Sequence, residues 1–207
     1  MLPESDLDKL MTSLSGLSAR ARSAFAAACA ERQAPAYARV SAQASRGDPD
    51  MLANALEALW SDLEGRKISS KTLQRYVSLC EAYIKQNQDI KGLFYASNSI
   101  ASTIYAIESR LTSNVERAAW AAMCATDLLD AHIILTLDLN TADATQEQRI
   151  IADPLMQAEL RREQRDLTEL ANVDDDDAHG AAIIANVHDR AFTDALRFFD
   201  RDAAAKL

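Results

Sequence analysis

A chain of 207 residues, 48% of them apolar and with only 5 Gly and 4 Pro, is long enough to bury a full core. Its abundant alanine and scarce breakers favour helix along nearly its whole length. The formal charge of −9, carried mostly by residues 138–207 with 16 acidic against 8 basic side chains, repels a phosphate backbone and argues against nucleic-acid binding, whereas a basic protein partner is electrostatically easier to hold.

The opening residues Glu4, Asp6 and Asp8 have the wrong charge for a secretory signal, which places the chain in the cytoplasm as an expectation. Leu7, Leu10, Met11 and Leu14 follow the i, i+3, i+4, i+7 spacing of a short first helix that Gly16 stops. Ser18 caps a second helix through Ala21, Phe25 and Cys29, and Pro35 is expected to kink or restart it as a further piece reaching Arg46. Gly47, Asp48 and Pro49 combine a stop, a cap and a first-turn proline. The helix beyond them carries Leu52, Leu56, Leu59, Trp60 and Leu63 on one face and ends at Gly65.

Ser69 or Ser70 opens the next amphipathic helix, with Leu73, Val77, Cys80 and Tyr83 on one side, and the polar run 86–89 breaks it. A further helix is expected from Gly92 to about Leu111, and Thr112, Ser113 and Asn114 cap the one after it. That helix, about 114–137, is apolar nearly all round. It has the length of a membrane span, but Asp127, Asp130 and His132 would be costly at a bilayer centre, so it is expected to be the central helix of a soluble bundle. Residues 140–144 read as a turn, Pro154 opens a helix through Leu160, Leu167 and Leu170, an acidic loop spans 174–180, and a last helix runs from Ala181 to about Arg201. No stretch alternates like a strand. The expectation is an all-α protein: residues 1–207 as a single compact multi-helix bundle.

A glycine-rich phosphate loop, a nucleophile elbow, paired CxxC and HExxH are absent, so no catalytic residue, metal ligand or cofactor is assigned. Cys29, Cys80 and Cys124 are odd in number, far apart and set in apolar runs, which suits buried thiols rather than a disulfide framework. Asp127 and Asp130 share a face at i, i+3 and are expected to find structural pairing with an arginine of a neighbouring helix, with His132 out of phase. Arg161, Arg162 and Arg165 alternate with Glu159, Glu163 and Asp166, which reads as a solvated face of weak ion pairs. Asp174, Asp175, Asp176 and Asp177 form the sharpest local feature, an exposed loop or a docking patch for a cationic partner.

The run Ala26 to Tyr37, containing Glu31, Arg32, Pro35 and Tyr37, then Gly47-Asp48-Pro49 and Leu52, and then Ala55-Leu56-Glu57-Ala58-Leu59-Trp60, resembles the bacterial YjaG-like family, domain of unknown function family 416. The resemblance extends through Ala118–Leu137 and Pro154–Leu170, while the acidic stretch 174–177 departs from it. It implies a compact helical fold of bacterial cytoplasmic proteins and brings no activity. On physical grounds Glu31 and Arg32 are expected to serve backbone groups freed at Pro35 and to pair with adjacent helices, and Tyr37 and Trp60 to fill the core.

The functional expectation is a non-catalytic protein-binding module, in its sharpest form an acidic immunity-type protein that neutralises a basic toxin. The alternatives are a helical metal-binding protein or enzyme using Asp127, Asp130 and the Asp176/His179 pair, and a homodimeric structural protein.

Overall fold

The computed structural model describes residues 4–89, 93–139, 145–174 and 178–204. Among them are ten helices and no strand: α1 (Glu4–Ser15), α2 (Ala19–Ala44), α3 (Met51–Leu63), α4 (Ser70–Gln86), α5 (Leu93–Thr112), α6 (Val115–Leu137), α7 (Thr145–Ile151), α8 (Pro154–Leu170), α9 (Ala178–Ala195) and α10 (Arg201–Ala204). The protein is all-α, and its helices pack around two central ones, α2 and α6.

Helix α2 is the more enclosed of the two and touches α3, α5, α6, α8 and α9. From Ala24 to Ala30 every residue is fully buried, because a run of Ala, Phe and Cys lets neighbouring helices approach on all sides. Its partner α5 presents the small side chains Ser99, Ser102, Thr103, Ala106 and Ser109, all buried. Their hydroxyls stitch three helices together: Ser99 donates to the Gln33 carbonyl (2.9 Å), Gln33 Nε2 donates to Ser102 Oγ (2.9 Å), and Ser102 Oγ donates to the Ala121 carbonyl of α6 (3.0 Å). Each bond answers a polar group that would otherwise be buried without a partner.

The expected restart at Pro35 does not occur, since α2 continues through it to Ala44. A proline inside a helix costs about 3 kcal/mol. Here burial of Arg32, Gln33, Ala36 and Tyr37 on both sides of it outweighs that loss. The two serine and asparagine caps are as the sequence implies: Ser18 accepts from the Ala21 N–H and Asn114 from the Glu116 N–H. Pro49 lies outside α3, whose N-cap is Asp50. The last helix starts earlier, at Ala178, and ends at Ala195, with α10 as a separate turn.

Helix α6 is long and apolar enough to cross a bilayer by length and composition alone, and 56% of that window is buried within the bundle. All three cysteines are free and buried.

Candidate functional site

Two charged clusters grow from one stripe of α2. Arg32, Arg39 and Arg46 are spaced i, i+7, i+14, and seven residues nearly close two helical turns, so Arg32 and Arg39 share a face of α2 and Arg46 follows just past its end.

The first cluster is closed. Helix α8 turns Glu159, Arg162, Glu163 and Asp166 toward α2, and all four are buried. This corrects the expectation of a solvated face: a charged stripe has the same period as an apolar one, and this stripe faces inward. Arg32 Nε–H donates to both oxygens of Glu159 (2.8 and 3.1 Å) and Nη1 to Asp166 Oδ2 (2.9 Å), with all three side chains fully buried. Burial works against the guanidinium charge, but Glu159, Cys29 and Asp166 outweigh it and hold Arg32 protonated more firmly than an ordinary arginine.

Around this core Arg162 and Arg165 reach Asp194 (3.3 and 3.0 Å), and Arg190 reaches Glu169 (2.6 Å). Glu163 completes the ring of carboxylates with one oxygen, Oε1, unpartnered. Burial first, then Glu159 and Asp166, push its carboxyl up to about 8 against the pull of Arg32. Burial likewise raises the Cys29 thiol. Among the described residues, Cys29, Glu159 and Glu163 are the group whose donor atoms lie close enough, within 4.8 Å, to hold a metal ion. The Arg32 guanidinium already supplies a cation there, bonded to Glu159 and 3.5 Å from Cys29 Sγ.

Glu31 pairs with an adjacent helix, α3. Its carboxylate accepts the Trp60 indole N–H (3.1 Å), and burial raises its pKa while that hydrogen bond opposes the rise. Trp60 stacks on His188 with ring centroids 4.4 Å apart, and His188 Nδ1 lies 2.9 Å from Glu64. Among the described residues neither Glu31 nor Arg32 makes the backbone contacts expected beside Pro35, while each meets the expected partner on an adjacent helix, Glu31 on α3 and Arg32 on α8. Tyr37 is fully buried and donates to the Asp48 carbonyl (2.7 Å).

The second cluster is open. A cavity of about 720 Å³ is lined by Ala36, Arg39, Val40, Gln43 and Ala44 of α2, by Arg46 and Asp89 on the loops after α2 and α4, and by Tyr95, His132 and Phe199. The α2 residues recur at i, i+3, i+4, i+7, so one face of its C-terminal half is the wall. The chain leaves that wall through Ser45, in the left-handed conformation at φ 52°, and Gly47 at φ 77°. Ser41 donates its hydroxyl to the Arg46 carbonyl, which fixes the backbone from which the Arg46 side chain departs. A Cβ on Gly47 would collide with the Tyr83 ring, so only glycine fits there.

The floor is aromatic. His132 and Phe199 have ring centroids 4.6 Å apart, Tyr95 meets both edge-on at 6.1 and 6.2 Å, and the Tyr95 hydroxyl lies 3.3 Å from His132 Nδ1. Burial lowers the His132 pKa, Arg201 and Arg39 lower it further, and Asp153 opposes them; the imidazole is therefore neutral near pH 7. Arg46 pairs with Asp89 at 2.8 Å with both side chains largely in water, a contact worth well under 1 kcal/mol. Arg39 is exposed and makes no ion pair among the described residues. A cavity of this size with an aromatic floor and a spare guanidinium at its rim has the features of a small-molecule site.

Asp127 and Asp130, half-buried on α6, line neither cluster; burial raises the Asp127 pKa and Asp130 adds to the rise. Asp174 is exposed, and Asp175, Asp176 and Asp177 lie outside the described residues, so the Asp176/His179 pair does too. Sequence reasoning missed Arg39, Arg46, Tyr95 and Phe199. The seven-residue spacing of the arginines was a signal for the first two, and Tyr95 and Phe199 had none.

The family model of DUF416, a protein of unknown function, matches residues 9–190. The crystal structure of a DUF416 family protein from Shewanella baltica OS155 superposes with a TM-score of 0.72 at 18% identity, covering 87% of this chain and 93% of that one. No curated protein matches the chain.

Proposed function

The chain belongs to the DUF416 family, whose function is unknown, and we propose that it is a binding protein whose α2 groove takes a small organic anion. The observation that carries this reading is Arg39. In a chain of formal charge −9, a guanidinium with no carboxylate partner among the described residues stands at the rim of a 720 Å³ cavity, and the nearby Arg46 holds its own partner only through a solvent-exposed pair. The charged side chains that line the groove are two arginines and one aspartate, a positive balance in a chain whose total is negative, and that favours an anion there. Arginine presents a planar fork of donors matched to carboxylate and phosphate oxygens, and the Tyr95, His132 and Phe199 rings supply apolar area for the remainder of the ligand.

The test is an amide NMR titration with benzoate, phenyl phosphate and naphthalene-2-sulfonate, each run beside its ringless counterpart. The reading expects saturable shifts confined to the groove, around Gln43, Tyr95, His132 and Phe199, for at least one of the three ring-bearing anions. Arg39→Gln should weaken that binding about tenfold or more, the scale of a lost charged hydrogen bond. Absence of saturable groove shifts with all three, or full binding by Arg39→Gln, overturns it.

A further inference from the structure

We propose that the groove takes up a proton together with its ligand, at His132, so that it holds a ring-bearing anion more tightly in mildly acidic than in alkaline solution. The proposal rests on the ligand-binding reading above and adds the proton to it.

His132 lines the same cavity as Arg39, and its ring is held between the edges and faces of Tyr95 and Phe199. The charged and titratable groups around it come from four segments: Arg39 on α2, Tyr95 on α5, Asp153 ahead of α8 and Arg201 on α10. Two of these are cations and oppose an imidazolium. The one carboxylate, Asp153, is paired with Arg201 at 2.7 Å; it pulls for the imidazolium more than Arg39 opposes it, but burial and Arg201 weigh more heavily still against the charge. In the empty groove the balance therefore favours the neutral ring.

An anion seated on Arg39 changes that balance in two ways. It offsets the repulsion that Arg39 exerts on His132, and it brings negative charge into the partly dry space where the imidazole lies. By reciprocity, whatever the anion does for the proton the proton does for the anion. The neighbouring phenol accommodates either state: burial raises the pKa of Tyr95, which keeps it protonated, and its oxygen can donate to a neutral Nδ1 or accept from a protonated one. An imidazolium beside a ligand ring also gains a cation–π contribution that a neutral imidazole lacks. Recognition by guanidinium, imidazolium and aromatic floor together selects a ligand that carries both an anionic oxygen group and a ring.

The test uses naphthalene-2-sulfonate, whose charge is fixed between about pH 5.5 and about pH 8.5, the span that brackets ordinary histidine titration. Any pH dependence of its binding thus belongs to the protein. The His132 ring resonances are followed by NMR through the titration with and without the probe, with His179 and His188, which line no part of the groove, as internal controls. The expected result is a rise of the His132 pKa by about one unit on saturation, which corresponds to about tenfold tighter binding across the range. Calorimetry in buffers of different ionisation enthalpy should then show proton uptake, and His132→Asn should flatten the pH dependence. Groove binding with an unshifted His132 titration and a constant Kd overturns the proton coupling and leaves the binding reading standing. No saturable groove binding by the probe at any pH overturns the coupling, and the binding reading falls with it only if benzoate and phenyl phosphate fail as well.

Discussion

Arg32 and Arg39 stand seven residues apart on one stripe of the same helix, and the bundle treats them in opposite ways. Arg32 is fully buried and meets Glu159 and Asp166 at 2.8 and 2.9 Å. Arg39 is exposed and meets no carboxylate among the described residues. Helix α8 makes the difference, since its carboxylates enclose Arg32 in the middle of α2, whereas the stripe around Arg39 toward the C-terminal end stays open to the groove. A charge enclosed in this way must be paired where it sits, because desolvating it alone costs several kcal/mol. A charge left at a cavity rim is free to pair with something that arrives. The contrast separates an arginine enclosed by the fold from one left open at a groove, although the sequence writes them alike.

The sharpest way to break the comparison is at the closed end. Arg32→Met keeps length and apolar volume but takes from buried Glu159 and Asp166 their shortest ion pairs, leaving Glu159 with Arg162 at 3.5 Å and Asp166 with Arg165 and Arg190 at 3.3 and 3.7 Å. The expected cost is about 3–5 kcal/mol, read from the urea midpoint, and a loss under about 1 kcal/mol would show that the cluster is not what holds α8 on α2.

An effect of similar size, with a defined sign, comes from Glu163. Its pKa is raised by folding, to about 8 from 4.5, so the folded state holds the proton that the unfolded chain gives up. The stabilising preference is fully present below the unfolded value and is lost as pH rises toward 8. Glu163→Gln mimics the protonated form. It is expected to match the native protein near pH 4.5 and to exceed it by about 4 kcal/mol near pH 8, measured by chemical denaturation at both. A gain that does not grow with pH would place Glu163 ionised in the fold.

Much of the architecture was legible because it rests on local rules. Ser18 and Asn114 cap where hydroxyl and amide side chains precede apolar periodicity, and Leu52, Leu56, Leu59 and Leu63 mark the buried face of α3. What was hidden depends on distance along the chain. Arg32 and Glu159 are separated by 127 residues, so the stripe 159, 162, 163, 166 reads as solvated until its partner is known. Pro35 reads as a break because local propensity carries no account of the tertiary contacts that hold the helix through it. The groove collects side chains from six separate segments, which no motif could announce, and three of the four residues of the acidic run 174–177 fall outside the described structure.

The smallest expected effect on stability sharpens the comparison most. Arg39→Gln removes a side chain that is exposed and has no ion pair among the described residues, so its stability near pH 7 should stay within about 0.5 kcal/mol of the native protein, against the several lost at Arg32. The residual change has a sign. Arg39 is one of the groups that lower the His132 pKa, and a histidine whose pKa is lowered by folding contributes stability that is present above the unfolded value and lost as pH falls through the folded one. Replacing Arg39 lets that folded pKa drift back up, so the variant should lose slightly less stability than the native protein on acidification from about pH 7 to about pH 5. Denaturation midpoints for the two proteins at both pH values measure it. A destabilisation of the Arg32 scale would mean that Arg39 supports the fold after all, and the open end of the stripe would then be closed in solution.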